Sequence, residues 1–150
     1  MLDRYYLAYG SNLNSRIFNS FCPKSKKIGS MYLEGYRLAF KGLNDGHGYL
    51  TILEDQTKNV PIGIYKISLF DMKELDKYEG YPTLYQKKSV VINIGSKKVK
   101  AYIYVMNDGY DYHTPSKAYF NVCLKGYREF NFNTSYLYQA LSVYENKKQK

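Results

Sequence analysis

Tryptophan is absent, and cysteine and proline are scarce at two and four residues. Cys22 and Cys123 lie far apart with no partner at metal-ligand spacing, so neither a disulfide framework nor a zinc site is expected. No apolar run approaches the roughly 18 to 20 residues needed to cross a bilayer, and no membrane association is expected. Met1-Leu2-Asp3-Arg4 runs straight into a strand-like segment without the basic, apolar and small-residue succession of a secretory signal, which points to the cytoplasm. No repeat, low-complexity tract or long linker divides the chain. Residues 1–150 suffice for one core and are expected to form a single domain, with about 145–150 a flexible basic tail.

Acidic side chains are also in short supply, 13 against 22 Lys and Arg, for a formal net charge of +9. Such an excess can attract phosphate backbones. Here the lysines fall as scattered pairs (Lys26-Lys27, Lys87-Lys88, Lys97-Lys98), with the densest run at Lys147 to Lys150. That pattern forms no basic stripe, so no nucleic-acid partner is expected. What is abundant is tyrosine, 19 residues, a side chain suited to half-buried strands and pocket walls.

Arg4 to Tyr9 reads as a buried strand stopped by Gly10-Ser11-Asn12, and Ile17, Phe18 and Phe21 space a short helix ending near Cys22-Pro23. Lys27 to Lys41 reads as a bulged strand, with Gly29 and Gly35 inside it. After the turn residues Asn44 to Gly48, Tyr49–Leu53 and Ile62–Ile67 read as two strands of a hairpin around the polar Glu54 to Asn59. Ser68 caps a helix carrying Leu69, Met72 and Leu75 at helical spacing, with Gly80 as its stop. Tyr85–Ile94 and Val99–Met106 form a hairpin about Gly95-Ser96. Thr114-Pro115 reads as the cap and first turn of a further helix, and Ser135 to Tyr144 as the last. Strands interrupted and closed by helices define an α+β chain.

The helix after Ser68 carries the first chemical signal. At ~100° per residue, with Leu69 at zero, Met72 falls near ~300°, Leu75 near ~240° and Glu79 near ~280°. Glu79 therefore shares the apolar stripe. Burial and the negative end of the helix both disfavour its charged form, which would raise its pKa toward a range useful for proton transfer. The alternative is a glutamate at a frayed helix end, paired with a lysine or solvent. Asp76, near ~340° on the same wheel, reads as structural.

The second signal is Tyr9-Gly10-Ser11-Asn12-Leu13. A strand ending in glycine exposes successive N–H groups, and Ser11 and Asn12 add short polar side chains able to orient a carboxylate or polarise a carbonyl. An ordinary capped turn fits the same residues. His47 and His113, in Gly/Asp/Tyr-rich loops, read as loop-bonding residues. Of Arg4, Arg16 and Arg37, only Arg16 lies beside this turn in sequence.

Together, Tyr9-Gly10-Ser11-Asn12-Leu13, Leu75-Asp76-x-x-Glu79-Gly80, Tyr85 and Pro115-Ser116-x-x-Tyr119 resemble the γ-glutamylcyclotransferase-like family. Cys22-Pro23, Leu33-x-Gly35-Tyr36-x-Leu38-x-Phe40 and Gly63-Ile64-Tyr65 extend the likeness over most of the chain. Gly126-Tyr127-Arg128-Glu129-Phe130 departs from it, lacking a Gly-Ala pair found in many relatives.

The resemblance implies a mixed β-barrel or sheet with flanking helices, and an enzyme that closes a γ-glutamyl amide into 5-oxoproline and releases the amine. It implies Glu79 as catalytic acid/base, the Tyr9, Gly10, Ser11, Asn12, Leu13 turn as the glutamyl-binding loop, and Tyr85 and Tyr119 as pocket lining. Tyr119 also begins an apolar stripe with Val122, Cys123, Gly126 and Phe130, which suits a core aromatic equally well. The intramolecular reaction needs no cofactor or metal, and the partner implied is a small γ-glutamyl molecule, met by a monomer or homodimer. A non-catalytic module binding a glutamyl-like ligand on the same fold is the competing expectation.

Overall fold

The computed structural model describes residues 3–148, with side chains from Arg4 to Tyr144. Six strands, β1 (Asp3–Ala8), β2 (Lys26–Gly42), β3 (Gly48–Ser68), β4 (Tyr85–Ile94), β5 (Lys97–Met106) and β6 (Asp111–Tyr112), make one sheet in the order β4-β5-β1-β3-β2-β6. Four helices flank it: α1 (Ser15–Phe21), α2 (Leu69–Glu79), α3 (Lys117–Glu129) and α4 (Ser135–Lys148). The only parallel pairing among the described strands is β1 with β5. The pairing order is linear, with β4 and β6 as edges. Of the barrel-or-sheet expectation, then, the open mixed sheet is what forms.

Tyr49–Leu53 and Ile62–Ile67 are not two arms of a hairpin. Both belong to β3, which pairs along its length with β2, from Gly48 opposite Gly42 to Lys66 opposite Lys26. Pairing shifts between Glu34 and Tyr36, where Glu54 and Asn59 flank an excursion opposite Gly35 at φ +85°. Polarity there marks a bulge held by Asp55, whose Oδ1 accepts from the Thr57 N–H at 3.0 Å and its hydroxyl at 2.6 Å. A second shift, between Lys27 and Gly29, gives the irregularity expected of β2.

The cap of α3 is Ser116 rather than Thr114: its hydroxyl accepts from the Tyr119 N–H at 3.0 Å. Thr114 instead latches the preceding turn, its carbonyl accepting from the Gly46 and Gly48 N–H groups, both at 2.9 Å. The backbone of α4 stays helical to Lys148, beyond the expected end at Tyr144. The tail expected at about 145–150 lies outside the residues described in full.

The core runs under the sheet and helices through Leu7, Phe18, Phe40, Ile62, Leu75, Ile103 and Leu137, all 2 % exposed or less. Topology then fixes the site. Ser68, the end of β3, lies opposite Asp3, the start of β1. From there α2, whose 11 residues span about 16 Å at ~1.5 Å each, returns along β1, whose six residues cover about 20 Å. The last residue of α2 therefore arrives beside the turn that follows β1.

Candidate functional site

Two capping devices set α2. Ser68 Oγ accepts from the Asp71 N–H at 3.0 Å, and Gly80 closes the helix in the left-handed region at φ +66°. The Gly80 N–H reaches Lys77 O at 3.1 Å and the Tyr81 N–H reaches Asp76 O at 2.9 Å. Met72 and Leu75 are buried as the wheel requires, while Leu69 is 42 % exposed and lies off the stripe. Glu79, on the last turn, enters a narrow cleft of about 30 Å³ shared with Tyr6, Tyr9, Gly10, Ser11, Asn12 and Leu50, and walled by Tyr85, Tyr104 and Tyr119.

The turn itself is a single 3-10 turn, Ser11–Leu13, in which the Leu13 N–H bonds Gly10 O at 3.0 Å. Asn12 is 2 % exposed. Its Nδ2 donates to Glu79 Oε1 at 3.0 Å and to Tyr6 Oη at 2.8 Å, and its Oδ1 is buried without a hydrogen-bond partner. Ser11 Oγ lies 3.1 Å from the Tyr78 hydroxyl. Gly10 leaves space at the cleft wall: a Cβ there would stand 3.4 Å from Leu50 Cδ1 and 3.6 Å from the Tyr119 hydroxyl. Leu13 departs from this group, because its side chain is fully buried beneath the turn, against Gly63 and Gly126.

Glu79 is the one carboxyl among the described residues lining the cleft. Burial pushes its pKa up to about 7, and the Asn12 hydrogen bond opposes that rise without cancelling it. Asp76, one turn back, meets the Tyr104 hydroxyl and both its oxygens accept from Lys87 Nζ at 3.0 Å. Those bonds give Asp76 the structural place read from sequence.

Tyr85 and Tyr119 both reach the cleft, yet their hydroxyls are committed to one residue. Tyr85 donates to Leu50 O at 2.7 Å, and Tyr119 accepts from the Leu50 N–H at 3.1 Å. Tyr9 donates to Tyr104 O at 2.6 Å, and its own carbonyl accepts from the Tyr127 hydroxyl at 2.9 Å. These tyrosines are walls with fixed hydroxyls. Sequence reasoning did not single out Tyr6, Tyr78 or Tyr104. Tyr6 and Tyr104 stand on neighbouring strands brought together by the β1–β5 pairing, which no local pattern announces.

Arg16 is exposed on α1 and does not line the cleft. Arg37 is held by Asp55 at 3.6 Å and by the Tyr112 hydroxyl at 2.7 Å. His47 and His113 bond loop partners, Asn44 at 2.6 Å and Asp45 at 3.0 Å. A roomier groove of about 590 Å³ opens between the β3 excursion and α4. Its Arg37 is already engaged, so size alone does not make it the site. Among the described residues no helix is long and apolar enough to cross a membrane, and no three His, Cys, Asp or Glu side chains converge as metal ligands.

The open mixed sheet with its flanking helices is an architecture shared with known structures. A γ-glutamyl cyclotransferase superposes with a TM-score of 0.80 at 22% identity, over 93% of this chain and 86% of that one. An uncharacterized protein from Homo sapiens gives 0.78 at 23%, over 92% and 86%. YkqA from Bacillus subtilis gives 0.76 at 18%, over 97% of this chain, which spans 55% of that protein's length. No match was found among curated proteins. The chain belongs to the gamma-glutamyl cyclotransferase, AIG2-like family, whose family model matches residues 6–139.

Proposed function

We propose that this protein is a cyclotransferase that converts a γ-glutamyl amide into 5-oxoproline and a free amine, with Glu79 as general acid/base. The observation that carries the reading is the Glu79 carboxyl, raised to about 7 and hydrogen-bonded to Asn12 of the turn after β1. A base with that pKa is ionised for a large fraction of the time near neutral pH and still returns its proton readily.

In this reaction the α-amine of the glutamyl group attacks its own γ-carbonyl carbon, forming the C–N bond of a five-membered lactam. Glu79 takes the proton lost by the attacking nitrogen. The tetrahedral intermediate then collapses, the original amide C–N bond breaks, and Glu79 delivers the proton to the departing nitrogen. Holding amine and carbonyl aligned is worth on the order of 7 to 11 kcal/mol in well-oriented intramolecular reactions.

Gly10, Ser11 and Asn12 supply the polar side of the pocket in this reading. The unpartnered Asn12 Oδ1 accepts from the α-amine, and the turn N–H groups meet the glutamyl carboxylate or the developing oxyanion. Tyr9, Tyr85 and Tyr119 wall the ligand. A cleft of about 30 Å³ has room for a few waters, so a glutamyl group enters as a wall parts.

The test is incubation with a panel of γ-glutamyl amides and detection of 5-oxoproline. Release from at least one member is the expected result. Binding of panel members without release would favour the non-catalytic glutamyl-binding module.

A further inference from the structure

Tyr6 and Tyr65 stand directly opposite one another in the β1–β3 ladder, their rings stacked at 6.3 Å and 16°. Both hydroxyls converge on Asn12. Tyr65 donates to the Asn12 carbonyl at 3.1 Å, and Tyr6 accepts from Asn12 Nδ2 at 2.8 Å. The rings themselves are fixed: Tyr6 stacks on Phe18 at 5.7 Å and meets Tyr104 edge-on at 5.8 Å, and Tyr65 lies 4.2 Å from Phe18.

We infer that Tyr6 and Tyr65 are positioning residues, a cross-strand clamp that fixes the Asn12 amide so that one N–H points at Glu79. A carboxamide has two N–H donors. With one committed to Tyr6 and the other to Glu79, the amide plane cannot turn without breaking both bonds. The same commitment leaves Oδ1 as a buried acceptor with no protein donor. Tyr6 is thus linked to Glu79 by hydrogen bonds through Asn12. The role of this clamp in turnover rests on the cyclotransferase reading, whereas its effect on the Glu79 carboxyl does not.

The clamp has a signature that packing alone would not produce. An N–H donated to a carboxylate favours the ionised form, so loosening that bond lets the Glu79 pKa rise. The other titratable groups facing Glu79 are hydroxyls: Tyr6 and Tyr9 from the β1 end, Tyr78 on its own helix, Tyr85 from β4, Tyr104 from β5 and Tyr119 from α3. Burial holds all six above their ordinary range, so they stay neutral while Glu79 titrates.

The experiment follows the Glu79 side-chain carbon by NMR across pH in the wild type, Tyr6→Phe, Asn12→Ala and the double variant. It is paired with kcat and KM on a reactive γ-glutamyl amide. Tyr6→Phe keeps the stacked ring and should raise the Glu79 midpoint by about 0.5 unit. Asn12→Ala should raise it further, and the double variant should match Asn12→Ala alone. In turnover, Tyr6→Phe should lower kcat about tenfold with KM little changed.

An unmoved midpoint in Tyr6→Phe, or additive shifts in the double variant, would overturn the clamp. If Tyr6→Phe melts early, Tyr65→Phe carries the same test, with a raised midpoint supporting the clamp and an unchanged one overturning it. A wild type that releases no 5-oxoproline would sink the cyclotransferase reading and leave the midpoint readout standing.

Discussion

Glu79 Oε1 lies 3.0 Å from Asn12 Nδ2, joining the last residue of α2 to a turn 67 residues earlier in the chain. Each partner is held by its own element, Glu79 by a helix capped at both ends and Asn12 by the tyrosines of β1 and β3. The bond links two rigid supports, and the predictions below follow from it.

Activity should depend on pH through Glu79. The attacking amine gives its proton to the carboxylate, so kcat/KM should fall tenfold per unit as pH drops below about 7. A pH–rate profile checks this; a flat acid limb down to pH ~5 would place the base elsewhere.

Stability should move in the opposite sense. The folded pKa of Glu79, about 7, exceeds its ordinary 4.5, so the folded state binds more protons than the unfolded chain between those values. Stability therefore falls as pH rises through that window, and the loss is complete above it. Glu79→Gln removes the charge and should be more stable than wild type at pH 8, by about 1 to 2 kcal/mol once partial exposure is discounted. Below pH ~4.5 the two should melt alike. Denaturant titrations at both pH values provide the check.

Two glycines should behave differently when a methyl group is added. At Gly10 a Cβ makes only ordinary contacts, 3.4 Å or longer, with Leu50 and Tyr119. Gly10→Ala should fold with a near-native melting temperature and raise KM, because the methyl group occupies cleft space. At Gly126 a Cβ would lie 2.7 Å from the Asn14 nitrogen and the Leu13 carbonyl carbon. Gly126→Ala should push α3 off the turn and cost about 2 kcal/mol or more.

Tyr85→Phe and Tyr119→Phe should act mainly on stability. Each removes one bond to the backbone of Leu50, which is 2 % exposed, and strands a buried carbonyl or N–H. A loss of about 1 to 2 kcal/mol is expected for each, with kcat changed less than by Tyr6→Phe. Thermal melts and steady-state kinetics on the same samples separate the two effects.

What the sequence made legible was local. Ser68, Met72, Leu75 and Gly80 mark α2 because caps and apolar spacing act within a few residues, and they suffice to turn Glu79 inward. The turn at Gly10 was readable for the same reason. Leu13 belongs to the glutamyl-binding loop that the family resemblance implies, and its apolar side chain packs under the turn, which the motif alone does not reveal. Thr114 and Ser116 both carry cap chemistry around Pro115, and the choice depends on which hydroxyl reaches the Tyr119 N–H. The polar Glu54 to Asn59 stretch looks like a hairpin turn until β2 continues past it, with Gly35 opposite. Tyr6, Tyr65 and Tyr104 owe their places to strand pairing across long separations, where every strand offers tyrosines and composition cannot choose among them.

The central claim is tested most directly by Glu79→Gln, which keeps the side chain's shape and removes its capacity to accept and return a proton. With an amide that the wild type cyclises, 5-oxoproline release should fall by about 100-fold or more, while ligand affinity by calorimetry stays within about threefold of wild type. Turnover by Glu79→Gln at the wild-type rate would contradict the account.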